Sequence, residues 1–359
     1  MSSQFGHNLK VSIFGQSHSA AIGVVVDGLP AGLLLDLERI RRFMARRAPG
    51  KAPYATARKE ADAPEIVSGL TEDGFTCGAP LCALIRNTDA RSKDYSQLRD
   101  LPRPSHADYT AFVKYGGHHD IRGGGHFSGR LTAPLCFAGA AAMQLLEQQG
   151  VFVGAHISSV GSVQDAPFPP TALTQEQLLA PGRKEFPVVD DNAGQAMQRQ
   201  IEEARQDRDS LGGVVECGVV GAPAGLGEPM FDGLENRLAA ALFGIPALRG
   251  VEFGAGFAAA AMRGSRHNDP FSLDETGKVV SLTNNHGGIL GGISSGMPIL
   301  LRCAFKPTPS ISQPQQTVSL SQKQNRSLTI EGRHDPCIIP RALPCVEAAV
   351  ALVLLDFML

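Results

Sequence analysis

Three stretches of this chain carry side chains able to move protons or hold anions. Gly15-Gln16-Ser17-His18-Ser19 puts a hydroxyl and an imidazole on a glycine-started turn, where side chains reach a cleft rather than a core. It misses the G-x-S-x-G nucleophile elbow because position 19 is serine. Between Arg103 and Arg130 the chain gathers Arg103, Lys114, Arg122 and Arg130 with His106, His118, His119 and His126, around the run Gly123-Gly124-Gly125. Successive glycines let backbone N–H groups turn toward an anion, and flanking arginines add planar donors for phosphate or carboxylate. Gly332-Arg333-His334-Asp335-Pro336-Cys337 places a cation, an imidazole and a carboxylate just before an apolar segment. Asp335 there reads either as the cap of a helix opening at Pro336 or as a base. If it meets His18 and His106 in one cleft, the three supply a carboxylate and two imidazoles that titrate near neutrality.

Other patterns carry less. Gly292-Ile-Ser294-Ser-Gly296 matches the elbow formally, but the only downstream histidine, His334, is the immediate neighbour of Asp335, and adjacent residues do not form a Ser-His-Asp line. Walker A and G-x-G-x-x-G are absent, and so are H-E-x-x-H and paired-cysteine spacings, so no metal site is expected. Lys306-Pro307-Thr308-Pro309-Ser310, after a glycine run, suits a phosphate or a flavin tail.

The elements that must position these groups follow from periodicity. Leu9 to Phe14 and Gly23 to Asp27 are β-branched runs that predict strands around the Gly15–Ser19 loop. From Asp36, a good N-cap, Leu37, Ile40 and Met44 recur at helical spacing with Arg39, Arg42 and Arg46 on the other flank, predicting an amphipathic helix with a basic face that ends near Pro49-Gly50. Pro104 to Arg130 lacks apolar periodicity and reads as a long loop system, and Ala133 to Leu146 reads as an apolar helix. Ser158 to Pro170 is expected to be a flexible junction or exposed excursion. Thr174-Gln-Glu-Gln177 has the form of a capping box, and Asp191 to Arg208 that of an exposed helix. Gly28-Leu-Pro-Ala-Gly-Leu33 recurs as Gly221-Ala-Pro-Ala-Gly-Leu226, each after a valine run, which allows two pseudo-repeated halves within 1–359.

Composition narrows the function. Lys plus Arg is 33 against 35 for Asp plus Glu, so the net charge of -2 gives no global field to hold a nucleic acid, and any anion needs a local cluster. The seven cysteines are odd in number and spread without a C-x-x-C pair, which is reduced, cytosolic usage. The start has no basic-then-apolar signal, and Val346 to Leu359 contains Glu347 and Asp356 and is too short to span a bilayer, so it is expected to be a core helix of a cytoplasmic protein away from membranes.

Taken in order, Gly15-Gln-Ser-His18, Arg91-Ser-Lys-Asp-Tyr95, Arg103-Pro-Ser-His-Ala-Asp-Tyr-Thr110, Pro223-Ala-Gly-Leu-Gly-Glu-Pro229, Gly288-Ile-Leu-Gly-Gly-Ile-Ser-Ser-Gly296, Lys306-Pro-Thr308 and Gly332-Arg-His-Asp-Pro-Cys337 resemble the chorismate synthase family over almost the whole chain. The resemblance implies an α+β fold, a β-α-β sandwich of antiparallel sheets around long helices, assembled as a homotetramer. It implies a carbon-oxygen lyase of the shikimate pathway and aromatic amino acid biosynthesis. That enzyme makes chorismate from 5-enolpyruvylshikimate 3-phosphate by 1,4-trans elimination of phosphate with reduced FMN. By resemblance His18 would protonate or stabilise the reduced flavin, His106 would protonate the departing phosphate, and Asp335 would help the flavin accept the ring proton. FMN contacts carry over to His126, Phe127, Ser128, Ala247, Gly291, Lys306, Pro307, Thr308, Pro309, Ser310 and Arg333. Arg47 and Arg130 match arginines that hold substrate or NADP anions.

The chain departs from the family pattern at His126-Phe-Ser-Gly-Arg-Leu-Thr132, at Ser105 where glycine is common, and at Ala48 and Pro53 where arginines are common. Up to three cations are thereby removed, and Lys51, Arg58, His118 or His126 compensates, or anion affinity is lower. No segment suits a flavin reductase, so reduced FMN is expected from an external reductase, with NADPH only as an indirect reductant. A non-catalytic flavin- or phosphate-ligand-binding homologue is the competing expectation.

Overall fold

A computed structural model of the chain describes residues 3–50, 62–88, 97–330 and 335–359. Strands β1 (Gln4–Phe5), β2 (Lys10–Gly15), β3 (Ala21–Asp27), β4 (Pro64–Ser68) and β5 (Leu81–Arg86) form one antiparallel sheet in the order β1-β2-β3-β5-β4. The first two expected strands are thus present, each shifted by a residue or two. Helix α1 (Leu37–Arg47) connects β3 to β4, and Asp36 caps it by accepting from the Arg39 N–H. Helices α2 (Asp108–Tyr115) and α3 (Thr132–Gln148) follow β5.

A second antiparallel sheet contains β6 (Phe152–Val160), β7 (Val163–Gln164), β8 (Gly213–Val220), β9 (Leu248–Phe253) and β14 (Ile299–Phe305), in the order β7-β6-β8-β14-β9. Between β7 and β8 lie α4 (Gln175–Leu179), closed by the Thr174/Gln177 capping box, and α5 (Asp191–Gln206), which buries Met197 and Ile201. Helix α6 (Leu234–Leu242) connects β8 to β9. The turn α7 (Gly264–His267), the hairpins β10 (Phe271–Leu273) with β11 (Val279–Ser281) and β12 (Ile289–Leu290) with β13 (Ile293–Ser294) precede β14. Strands β15 (Gln315–Ser319) and β16 (Gln324–Leu328) form a hairpin before α8 (Ile339–Met358).

The two sheets sandwich the helices. Helix α3 packs on the first sheet and α8 on the second, and α3 and α8 pack on each other. Most of both helices is buried, as their near-continuous apolar sequences require. At their crossing a Cβ on Gly139 would fall 2.3 Å from the Cβ of Ala348, so only glycine permits the approach. One hydrophobic cluster runs from Leu9 and Ile22 of the first sheet through α3 and α8 to Val215 and Cys303 of the second. This is the expected α+β sandwich. Among the described residues no helix is long and apolar enough to cross a membrane.

Two expectations fail. Ser158 to Pro170 is no loose junction: β6 runs through Val160, Asp165 accepts from the backbone N–H groups of Val189 (2.6 Å) and Asp190 (2.8 Å), and Phe168 is buried. Its serines and prolines were misleading because a carboxylate, not an apolar period, ties the segment down. Helix α2 lies inside the stretch read as loop. It buries only Ala111 and Asp108, too narrow a stripe to show as periodicity, and ends at Gly116 in the left-handed conformation.

Candidate active site

A cavity of about 760 Å³ opens where the C-terminal ends of α1 and α6 meet the N-terminal ends of α3 and α8. Neither α3 nor α8 has a side-chain cap; Leu131 and Ile338 occupy those positions. The positive ends of two long helix dipoles therefore lie at the same space, which favours an anion there. Arg47, Arg103, Arg130, Arg249, Lys306 and Arg341 line it.

Four of these cations, Arg47, Arg103, Arg130 and Arg341, are held by acids. Asp62 lies fully buried between two of them, taking a 2.5 Å bond from Arg47 Nη1 and a second from Arg130 Nη1. Arg47 also donates to Thr132 Oγ1 (3.0 Å) and to the Gly129 carbonyl (3.1 Å). Burial alone would raise the Asp62 carboxyl pKa; Arg47 and Arg130 outweigh it and hold it below its ordinary value.

His106 stands in a similar frame. Its Nδ1 donates to Asp108 Oδ1 at 2.6 Å, and Asp108 also takes Arg103 Nε (2.7 Å), Arg103 Nη2 (2.8 Å) and the Arg103 backbone N–H (3.0 Å). With Nδ1 committed, Nε2 is the free nitrogen, and a Cβ at Gly124 would lie 3.4 Å from it. Burial lowers the His106 pKa, the Asp108 bond opposes this, and Arg103 and Lys306 tip the balance down. His18 lies behind the neighbouring residue. A Cβ at Gly123, where φ is +65°, would fall 2.4 Å from His18 Cε1, and His18 Nδ1 meets Ser17 Oγ at 3.0 Å. Ser17 in turn donates to the Arg122 carbonyl (2.8 Å). The glycine run thus brings the two imidazoles to one turn, although His18 itself does not line the cavity.

Asp335 lines the cavity and pairs with Arg341 Nη1, while Arg341 Nε donates to the Arg47 carbonyl (2.9 Å). It does not cap α8, which begins at Ile339, so the capping alternative falls. His126, Phe127, Ser128, Ala247, Lys306, Thr308, Pro309 and Ser310 also line the cavity. Pro307 does not, and Gly291 sits in the turn between β12 and β13, outside the lining residues. Arg333, Lys51, Pro53, Arg58 and Arg91 to Tyr95 lie outside the described residues.

Two of the departures resolve physically. His126 donates from Nδ1 to the Gly15 carbonyl (2.7 Å) and its Nε2 meets the Ser3 hydroxyl (2.7 Å), so both ring nitrogens are spent on clamping β2 rather than on a ligand. Ser105 has φ of +60°, which explains why glycine suits the position, and its carbonyl and hydroxyl (3.0 Å) both accept from Lys306 Nζ. The basic face of α1 is spent elsewhere: Arg39 pairs with Glu147 of α3, and Arg46 forks onto Glu347 of α8 at 2.6 and 3.0 Å. Only Arg47 of that helix lines the cavity. Sequence reasoning missed Asp62, Arg249 and Arg341, for which it held no signal beyond charge, and passed over Asp108 although it stood inside a quoted motif; Arg103, singled out there as an anion donor, does line the cavity.

Fold and site together define an α+β protein with an enzyme-like cleft for a small polyanion, the size usual for such ligands. The family model described as chorismate synthase matches residues 9–359. The chain is 44% identical to a chorismate synthase of Lancefieldella parvula, covering 99% of this chain and 96% of the relative. It is 47% identical to one of Thermococcus kodakarensis, covering 99% and 97%. A solved structure titled "Crystal Structure of Chorismate Synthase" superposes with a TM-score of 0.78 at 28% identity, covering 99% of this chain and 92% of that one. The chain belongs to the chorismate synthase family.

Proposed function

We propose that this protein converts 5-enolpyruvylshikimate 3-phosphate to chorismate, a lyase step of aromatic biosynthesis, with reduced FMN. One observation carries the reading: six cations and two uncapped helix N-termini converge on one cavity in a protein of near-zero net charge. A ligand with two carboxylates and a phosphate needs that convergence to leave water.

The residues present fit a flavin phosphate. Thr308 Oγ1 is buried beside the cavity with no hydrogen-bond partner, next to the Lys306 ammonium and the buried Ser310. A buried hydroxyl left unpaired is costly, and a phosphate oxygen would satisfy it. Half-exposed Phe127 adds an apolar surface to the same cavity. Reduced FMN, when bound, supplies electron density to an elimination whose C–H bond is too weakly acidic for a base alone. His106 Nε2 holds the proton for the departing phosphate. Its lowered pKa keeps it neutral until a phosphate dianion arrives and favours the imidazolium, so substrate binding takes up a proton. Asp335, oriented by Arg341, is the carboxylate for the ring proton, and His18 acts from behind Gly123.

The chain is read as one domain over 1–359 with two β-β-α-β-β-α halves, acting as a cytoplasmic homotetramer supplied with reduced FMN by a separate NADPH-dependent reductase. An anaerobic assay with reduced FMN tests the activity. Equal release of phosphate and chorismate is expected; flavin binding without product would leave a binding homologue instead. His106→Ala should lower kcat by roughly 10²-fold or more with FMN affinity little changed. Unchanged turnover would remove His106 from the chemistry.

A further inference from the structure

Besides the proton-transfer groups, the cavity wall holds a nucleophile that the proposed reaction does not use. Cys345 of α8 lines the cavity, and its Sγ stands 3.8 Å from Sγ of Cys136 on α3. Both are buried. Each lies one turn N-terminal to the Gly139–Ala348 crossing, where the two helix axes are held in close contact. Disulfides need short backbone separations, and a glycine-mediated crossing supplies them.

We propose that Cys345 is a hydroperoxide-reactive thiol opening into the cavity and that Cys136 resolves it into an intrachain disulfide. The surroundings suit the first step. The Cys136 S–H, followed by Arg47, Thr132 and Arg341, draws the Cys345 pKa below its ordinary value against the opposing effect of burial, which favours the thiolate. The other buried thiols are pushed the other way: burial raises Cys136 and Cys217 well above their ordinary values and Cys303 and Cys337 to about 12, so Cys136 stays a thiol until the sulfenic acid forms beside it. Among the buried thiols Cys345 alone is shifted down, and it alone lines a cavity, one of about 760 Å³, large enough for peroxide to enter without unfolding.

The steps balance. The Cys345 thiolate attacks one peroxide oxygen, the S–O bond forms, the O–O bond breaks, and hydroxide leaves to become water. The Cys136 sulfur then attacks the Cys345 sulfenic acid. The S–S bond forms, the S–O bond breaks, and the hydroxyl departs as a second water with the Cys136 proton. The thiol pair loses two electrons and the peroxide gains them. A dithiol reverses the product by exchange.

The test uses the intact chain without flavin or substrate, so its outcome is independent of the proposed activity. After treatment with stoichiometric hydrogen peroxide, thiol titration of the denatured protein should fall from seven by two, the mass should drop by two hydrogens, and a non-reducing digest should yield one Cys136–Cys345 cross-linked peptide that dithiothreitol releases. Cys136→Ser should instead leave a Cys345 sulfenic acid that dimedone traps, and Cys345→Ser should consume no peroxide at either site. The digest of the unmutated chain needs no variant to fold. Seven thiols surviving excess peroxide, a bridge mapping to Cys217 and Cys303 or involving Cys77, or a persistent Cys345 sulfenic acid in the unmutated chain would overturn the proposal.

Discussion

Strands β3 and β8 each occupy the centre of their sheet, and each runs into the same six-residue turn pattern with the same latch. After β3, Thr76 Oγ1 donates to the Pro30 carbonyl (2.6 Å) and accepts from the Leu33 N–H (2.9 Å). After β8, Ser294 Oγ donates to the Pro223 carbonyl (2.6 Å) and accepts from the Leu226 N–H (2.9 Å). Helices α1 and α6 then follow, and α3 and α8 close each unit. The connections after β5 and β14 are where the halves differ. The first brings His106, Arg103 and Arg130 with acids behind them; the second brings Lys306, Thr308, Ser310 and Asp335. Matched scaffolds thus deliver unlike loops to one cavity, so scaffold mutations should act alike in both halves and cavity mutations should not.

The largest departure from equivalence is expected at Asp62. Removing, with Asp62→Asn, the carboxylate that two buried arginines share should cost about 3–5 kcal/mol of unfolding free energy in urea. Because its pKa is depressed in the fold, that contribution is present above the ordinary carboxyl pKa of about 3.9 and is lost as pH falls below it. A loss under about 1 kcal/mol would mean the arginines find other partners.

The second half has its own buried ionic centre with the opposite sign of pH dependence. His156 is fully buried between Asp165 (3.0 Å) and Glu216 (2.9 Å); burial lowers its pKa, but the two carboxylates outweigh this and raise it. The stabilisation it gives is complete below the unfolded value of about 6.5 and fades as pH rises through the higher folded value. His156→Gln should cost about 1.5–3 kcal/mol at pH 6, the scale of hydrogen bonds to charged groups, and should flatten the decline toward alkaline pH. An unchanged decline would place its cause elsewhere. His106, with one carboxylate already shared with Arg103, shifts downward instead. The number of facing acids, two at His156 against one at His106, and the cations beside His106, not burial, separate the two histidines.

The latches test the equivalence itself. Thr76→Val and Ser294→Ala each strip a hydroxyl from a buried N–H and a carbonyl, and each should cost about 1–3 kcal/mol in thermal or urea unfolding. Equal losses sharpen the comparison; a loss in one half alone breaks it.

How much of this was legible depended on whether the signal was local. The strands around Gly15–Ser19, the capped start of α1, the capping box at Thr174 and the helix at Ala133 to Leu146 are written in neighbouring residues, and the sequence predicted them. The repeated Gly-x-Pro-Ala-Gly-Leu turn was visible, but the hydroxyls that latch it, at Thr76 and Ser294, lie 46 and 71 residues from their carbonyl partners and were not. The basic face of α1 misled for the same reason. Arg46's partner Glu347 is 301 residues away and Arg39's partner Glu147 is 108 away, so what reads as an exposed basic face is mostly internal neutralisation. Asp335 pairs only six residues on with Arg341, yet its motif alone could not distinguish a cap from a cavity wall.

The smallest expected effect is at Ser105, where backbone strain and a new contact oppose each other. A non-glycine residue at φ of +60° costs about 1 kcal/mol. The Ser105 hydroxyl recovers part of that by holding Lys306, an exposed contact worth a few tenths to about 1 kcal/mol. Ser105→Gly should therefore change stability by less than about 1 kcal/mol, toward a more stable fold. The Lys306 ammonium would lose its hydroxyl tether and keep only the carbonyl bond. Because Lys306 also helps depress the His106 pKa, a looser ammonium should let that pKa rise and shift the pH profile of kcat/KM upward, with the shift largest at low salt. A gain in stability with an unmoved profile would show that the carbonyl alone fixes Lys306, and that serine here is tolerated by the cavity rather than used by it.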